Sequence, residues 1–214
     1  MSEKYVMPNT LVLNHPMIEH KMSTIRDKNT SMKEFTRNVY EVSLLVAYKV
    51  SENFLLKEKE IETPICKCKS HVLAKDIIIV PILRAGLGFV DGFREIIPEA
   101  RVGYLGMYRD EQTLKPIEYC DRLPKDLSGF TVIISDPMLA TGGSALLAID
   151  AVKARGAKDI IFAGLVGAPE GVDAVYSKHP DVKVVLATLD EKLNEHGYIV
   201  PGLGDCGDRL YGKN

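Results

Sequence analysis

Five short, nearly continuous apolar runs, at residues 77–80, 102–107, 132–134, 160–166 and 182–187, constrain the fold more than any other feature of the chain. A strand with one face in water alternates apolar and polar side chains, whereas an unbroken run suits a strand covered on both faces, as in a parallel sheet. Helical patterns lie between the runs. One covers residues 143–155 and ends at Gly156, where a glycine can take the left-handed conformation that stops a helix. Earlier, Ser31 and Glu34 form a capping-box pattern ahead of Phe35, Val39, Val42, Val46 and Val50, whose spacing puts one apolar stripe along a long helix. Strand, helix, strand predicts an α/β fold: an open, mostly parallel twisted sheet flanked by helices, with ligands beyond the carboxyl ends of the strands. Two stretches break the rhythm, the polar segment 108–127 and the Gly/Pro-rich tail 198–209. Irregular segments of that length inside a compact domain are often lids or binding loops.

The 214 residues show no internal repeat or Gly/Ser linker at which to divide them, so one domain is the expected organisation. A chain of this size buries about 70% of its unfolded surface and needs no disulfide or metal staple. A formal charge of −2 offers no global attraction to nucleic acid or to an anionic membrane, so a bound anion must be held by local geometry. Cys66, Cys68, Cys120 and Cys206 form no C-x-x-C pair, which fits a reducing compartment. His15, His20, His71, His179 and His196 lack metal-ligand spacing and read as surface or packing residues. No apolar stretch follows a basic start and none approaches a membrane span, so a cytoplasmic location is expected.

The loop after the run at 132–134 carries the strongest chemical signal. Asp136, Pro137, Met138, Leu139, Ala140, Thr141, Gly142, Gly143 and Ser144 place an acid at a strand end, then a small-residue turn, then a helix N-terminus. Unpaired N–H groups and the positive end of the helix dipole make such a turn an anion site, and the glycines let the main chain approach closely. Thr141 and Ser144 add hydroxyl donors. Asp136 would repel a bare phosphate, and it fits a ligand that also carries hydroxyls or a metal; a sugar phosphate meets that condition, its ribose hydroxyls donating to the carboxylate. From spacing alone, a tight turn with Asp136 capping the helix fits as well. No Walker A pattern occurs, and the one Gly-x-Gly-x-x-Gly, at 202–207, has no βαβ unit after it. Arg84, at the end of another strand and followed by Ala85 and Gly86, offers a planar fork for phosphate oxygens; alone, it would equally suit a solvated strand end.

The segment 136–144 resembles the phosphoribosyl diphosphate signature of type I phosphoribosyltransferases, in the form typical of the uracil phosphoribosyltransferase family. Many purine-specific relatives have two adjacent acids here, whereas this chain has one followed by Pro137. The resemblance runs from His15 and Arg26 to Tyr211. It implies a core of about 61–190 between an N-terminal arm and helix of about 1–60 and a base-binding hood of about 191–214. The implied reaction transfers the phosphoribosyl group of 5-phosphoribosyl 1-diphosphate to N1 of uracil, giving UMP and diphosphate.

By that resemblance Arg84 holds the diphosphate, and the polar stretch 108–116, otherwise a surface loop on composition, is a mobile loop that brings Arg109 to it. The tail, which on composition could also be a disordered end, becomes the uracil pocket, with peptide groups of Ile199, Gly204 and Cys206 reading the base. Asp205 is expected beside the donor and the base, and Arg84, Arg109 and Asp205 form the catalytic set. The resemblance further implies magnesium carried by the donor, a homodimer or larger homo-oligomer, and GTP as a possible effector. An RNA-binding regulator on the same fold is the rival of another class; the charge balance and the lack of tryptophan speak against it.

Overall fold

The computed structural model describes residues 7–109 and 116–213, excepting the side chains of 107–109 and 116–118. In chain order the elements are β1 (Thr10–Val12), α1 (Pro16–Arg26), α2 (Met32–Ser51), β2 (Leu56–Glu62), β3 (Lys67–Leu73), β4 (Asp76–Leu83), α3 (Leu87–Ile96), β5 (Arg101–Val102), β6 (Tyr104–Arg109), β7 (Pro116–Arg122), β8 (Phe130–Ser135), β9 (Met138–Leu139), α4 (Gly143–Lys153), β10 (Asp159–Gly167), α5 (Pro169–Lys178), β11 (Lys183–Leu189), β12 (Lys192–Leu193), β13 (Ile199–Val200) and α6 (Cys206–Tyr211). The main sheet runs β1-β11-β10-β8-β4-β6-β7, with short β5 and β9 attached to β4 and β10. Its pairs are parallel apart from β6 and β7.

The unbroken apolar runs follow from the two faces of this sheet. Ile77, Ile79, Ile133, Ile161, Ala163 and Val185 join one core with α1, α2 and α3. Their neighbours Ile78, Val80, Val132, Ile134, Ile160, Phe162, Val184 and Leu186 join a second core with α4 and α5. Successive side chains point to opposite faces, so a strand between two helical layers must be apolar at every position. The stripe on α2 is as expected: Phe35, Val39, Val42, Val46 and Val50 are fully buried, and Ser31 and Glu34 close a reciprocal capping box.

The expectation of an irregular segment over 108–127 is corrected at 108–109 and 116–122, which are strand, while 123–127 are irregular as expected. β6 and β7 form an antiparallel hairpin at the sheet edge, with a register shift between Gly106 and Met107; residues 110–115, the centre of the expected mobile loop, lie outside the described residues. An edge hairpin has no second apolar face, so its polar strand carries little of the alternation that marks a core strand. A second hairpin, β2 with β3, was not foreseen. Every residue of β2 is exposed, so no burial pattern marks it in the sequence.

Candidate active site

β8 delivers its chain end into a tightly stitched loop. The Asp136 N–H donates to the Ala163 carbonyl at 3.2 Å, the N–H groups of Leu165 and Val166 donate to the Pro137 carbonyl at 3.0 and 2.8 Å, and that of Ala168 donates to Leu139 at 2.9 Å. Pro137 and Leu139 are buried, so this part of the signature acts through its backbone. Gly142 follows with φ of 82° and starts α4 without any side-chain cap. The reading of Asp136 as a helix cap is thereby excluded: its carboxylate instead accepts the Met138 N–H at 3.2 Å. The Gly143 N–H, at the start of α4, donates to the Thr141 hydroxyl at 3.5 Å; Thr141 is exposed and Gly143 and Ser144 are half-buried, so the first turn of α4 is open to an anion. Helix α5 presses on the loop from below, since a Cβ at Gly171 would lie 2.4 Å from the Ala140 carbonyl oxygen.

Arg84 lies alongside. β4 ends at Leu83, the Leu83–Arg84 peptide is cis, and the Gly86 N–H donates to the Ile82 carbonyl at 2.8 Å. A Cβ at Gly86 would sit 2.3 Å from the Ser135 carbonyl oxygen, so only glycine lets this turn meet the end of β8. The Ser135 hydroxyl donates to the Gly86 carbonyl at 3.3 Å and ties the two strand-end loops together. The Arg84 guanidinium is partly exposed and reaches the Asp208 carboxylate at 3.3 Å.

The tail is ordered. β12 and β13 pair antiparallel, the Val200–Pro201 peptide is cis, and Asp205 caps α6 by accepting the Asp208 N–H at 2.8 Å. Gly204 has φ of 81° with open space where a Cβ would be, so conformation and not room requires glycine there. Ile199 and Cys206 turn their side chains inward. Burial first, then the neighbouring carboxylates of Asp136 and Asp205, push the Cys206 thiol far above its ordinary range, so it is an uncharged packing group.

These pieces enclose one cleft of about 320 Å³. Asp136, Met138 and Ala140 form one wall; Ile199, Gly204, Asp205 and Cys206 form the other, and Ala85 lines it beside Arg84. The cleft thus takes lining residues from each of the three expected segments, whereas Arg84, Pro137, Leu139 and residues 141–144 do not line it. Arg109 ends β6, but its side chain is outside the described residues. Sequence reasoning missed His196 and Gly197, which line the mouth with Tyr198; two polar residues and a glycine in a loop carry no signal of their own.

Electrostatics single out Asp136. Desolvation pushes its carboxyl up to about 7; the Met138 N–H opposes this, and the facing Asp205 carboxylate adds to it. Two carboxylates across a small cleft suit a ligand that brings hydroxyl donors or a cation to them. Among the described residues no group of three potential metal ligands occurs, so a cation's remaining coordination would come from the ligand.

The arrangement of the main sheet and strand-end loops belongs to the phosphoribosyltransferase fold. A hypoxanthine phosphoribosyltransferase from Staphylococcus aureus shares it at a TM-score of 0.52 with 11% identity, over 74% of this chain and 76% of that one. The AQ2163 protein from Aquifex aeolicus superposes at a TM-score of 0.89 with 40% identity, over 95% of this chain and 98% of that one. The family model for uracil phosphoribosyltransferase matches residues 12–213. Uracil phosphoribosyltransferase from Pediococcus pentosaceus is 60% identical over 202 residues, covering 94% of this chain and 97% of that protein. Its namesake from Geobacillus kaustophilus is 56% identical over 207 residues, covering 96% and 99%. The chain belongs to the uracil phosphoribosyltransferase family.

Proposed function

We propose that the 320 Å³ cleft is where this pentosyltransferase works, with the donor on the strand-end loops and uracil on the tail. The protein transfers the 5-phosphoribosyl group of 5-phosphoribosyl 1-diphosphate to N1 of uracil, giving UMP and diphosphate. The observation that carries the site assignment is one cavity lined by Asp136, Met138 and Ala140 of the signature loop, by Ala85 next to Arg84, and by Ile199, Gly204, Asp205 and Cys206 of the tail, with the Asp136 carboxyl shifted to about 7.

The N–H groups of residues 141–144 bind the phosphate of the ribose, and Asp136 accepts hydrogen bonds from the ribose hydroxyls. Arg84 and Arg109 meet the diphosphate. As N1 bonds to the anomeric carbon, the carbon–oxygen bond to diphosphate breaks and the N1 proton is released. Charge grows on the departing diphosphate, where the two guanidinium groups stabilise it more than in the ground state. Magnesium arriving with the donor would be held by the diphosphate near Asp136 and Asp205, and would supply further neutralisation of the leaving group. Peptide groups of Ile199, Gly204 and Cys206 read the acceptor–donor–acceptor edge of uracil, and an N–H aimed at O4 opposes the amino group of cytosine.

The reading extends to a cytoplasmic enzyme, assembled as a dimer or larger homo-oligomer and activated by GTP. No helix among the described residues is long and apolar enough to cross a membrane, and Cys66, Cys68, Cys120 and Cys206 are free thiols. The β2–β3 hairpin exposes Leu56, Ile61 and Ile65, which a second copy would cover. The test offers uracil, cytosine, hypoxanthine and orotate in parallel with 5-phosphoribosyl 1-diphosphate and magnesium, with and without GTP. Diphosphate and nucleotide should form with uracil alone; product with another base would refute the assignment of the tail. Sedimentation of the same sample checks the assembly.

A further inference from the structure

The four-residue path from Pro201 to Gly204 connects the two stretches that read the base, yet it belongs to no sheet or helix. Gly202 has φ of 62°, and a Cβ there would lie 2.2 Å from the Ile199 carbonyl oxygen, so the path is tightly folded. Its polar groups are held by side chains from far away. The Gly202 N–H donates to Asp190 Oδ2 at 2.8 Å, and Arg26 Nη1 donates to the Gly202 carbonyl at 2.7 Å. Arg26 and Asp190 pair with each other through both arms of the fork, at 2.7 and 2.5 Å. One ion pair therefore grips the N–H and the C=O of the same glycine.

Both ends of the grip are rigid. Asp190 follows β11, its N–H donates to the Gly167 carbonyl at 2.8 Å, and its side chain is 4% exposed. Arg26 is the last residue of α1. The tail returns the contact there: Arg209 donates to the carbonyls of Ile25, Asp27 and Leu203 and lies over the Phe35 ring at 4.2 Å. Two arginines thus cross between the end of α1 and the tail in opposite directions.

We infer that Arg26 and Asp190 are positioning residues for base recognition: they fix the spacing between the Ile199 and Gly204 peptide groups, and so set affinity for uracil without touching it. The inference rests on the reading of the tail as the uracil pocket. Neither residue lines the cleft, so the donor loops should not register their loss. A buried carboxylate with three fixed donors resists displacement, whereas a lone Asn side chain can satisfy only part of the set.

The test measures steady-state kinetics for uracil and equilibrium binding of the 5-phosphoribosyl 1-diphosphate–magnesium complex for wild type, D190N, R26A and R26K. In D190N and R26A, KM for uracil should rise about tenfold or more, with kcat at saturating uracil within about threefold. The dissociation constant of the donor should stay within about twofold, and R26K, which keeps the charge but loses the fork, should fall between R26A and wild type. A general loss of folding would lower the active fraction and leave the KM of surviving molecules unchanged. A KM for uracil equal to wild type in the folded variants would overturn the inference, as would a rise matched by an equal rise in the donor constant. If D190N does not fold, R26K decides by the same two numbers. Wild-type protein that uses a base other than uracil would overturn the underlying reading as well.

Discussion

The 136–144 loop and the tail both line one cleft, but they are built on different principles. Residues 136–144 hang between a parallel strand and a helix, and their backbone is bonded to the adjoining strand β10. The tail from Tyr198 to Arg209 has one two-residue strand, β13, and the first turn of the six-residue helix α6, and its path is fixed by side chains of Arg26, Asp190 and Arg209. On the proposed reading the donor is served by the fold itself, and the base by an appendage whose shape depends on a few anchors. Damage to the loops should therefore act on the donor and on turnover, and damage to the tail on the base.

The largest effects belong to the loop side. Arg84→Ala and Arg109→Ala should each lower kcat by about 10²–10³, while the uracil dissociation constant changes little; equal losses in binding and turnover would break the comparison. Gly86→Ala follows, since its methyl group would meet the Ser135 and Ile82 backbone. A displacement of about 1 Å in the diphosphate loop should reduce kcat/KM by about a hundredfold, measured at saturating uracil with the donor varied.

Asp136→Asn sharpens the comparison by separating function from stability. The folded Asp136 carboxyl titrates at about 7, against a reference of 3.8. The free folded protein therefore keeps a proton between those values that the unfolded chain has lost. Its contribution makes stability fall as pH rises from about 4 to 7 and stay low above that. Asparagine can still accept the Met138 N–H and carries no charge, so the variant without ligand should melt about 2–6 °C higher than wild type at pH 8, as read by calorimetry. It should also lose about tenfold or more in kcat/KM for the donor. Ribose hydroxyls favour the ionised form, so in the wild type donor affinity should be full above pH 7 and fall by up to about tenfold per unit below it. A flat titration between pH 6 and 8 would place Asp136 outside the donor site.

At the small end, Lys69→Ala removes an exposed pair with Glu58 on the β2–β3 hairpin, 2.9 Å apart. Stability should change by less than about 0.5 kcal/mol in denaturant titration, and kcat/KM should not change.

The same contrast explains what could be read from the sequence. β4, β8, β10 and β11 announce themselves because burial on both faces forces apolar residues at every position, and α2 because its cap and its stripe are local. The layout of the 136–144 loop was legible for the same reason: acid, small-residue turn and helix start stand in one stretch. The β2–β3 hairpin was not, because Lys57, Glu58, Lys59 and Glu60 face water on both sides. The Arg26–Asp190 grip joins residues 164 positions apart, and nothing near either one marks it. The tail residues Ile199, Gly204, Asp205 and Cys206 were named through family resemblance, and the cleft brings them to face Asp136.

The most direct test of the account is a crystal structure with the product UMP bound. The nucleotide phosphate should lie on the N–H groups of residues 141–144, the ribose hydroxyls on Asp136, and the uracil edge on the peptide groups of Ile199, Gly204 and Cys206. UMP with its base outside the tail, or its phosphate away from the start of α4, would contradict the division of labour between the two walls.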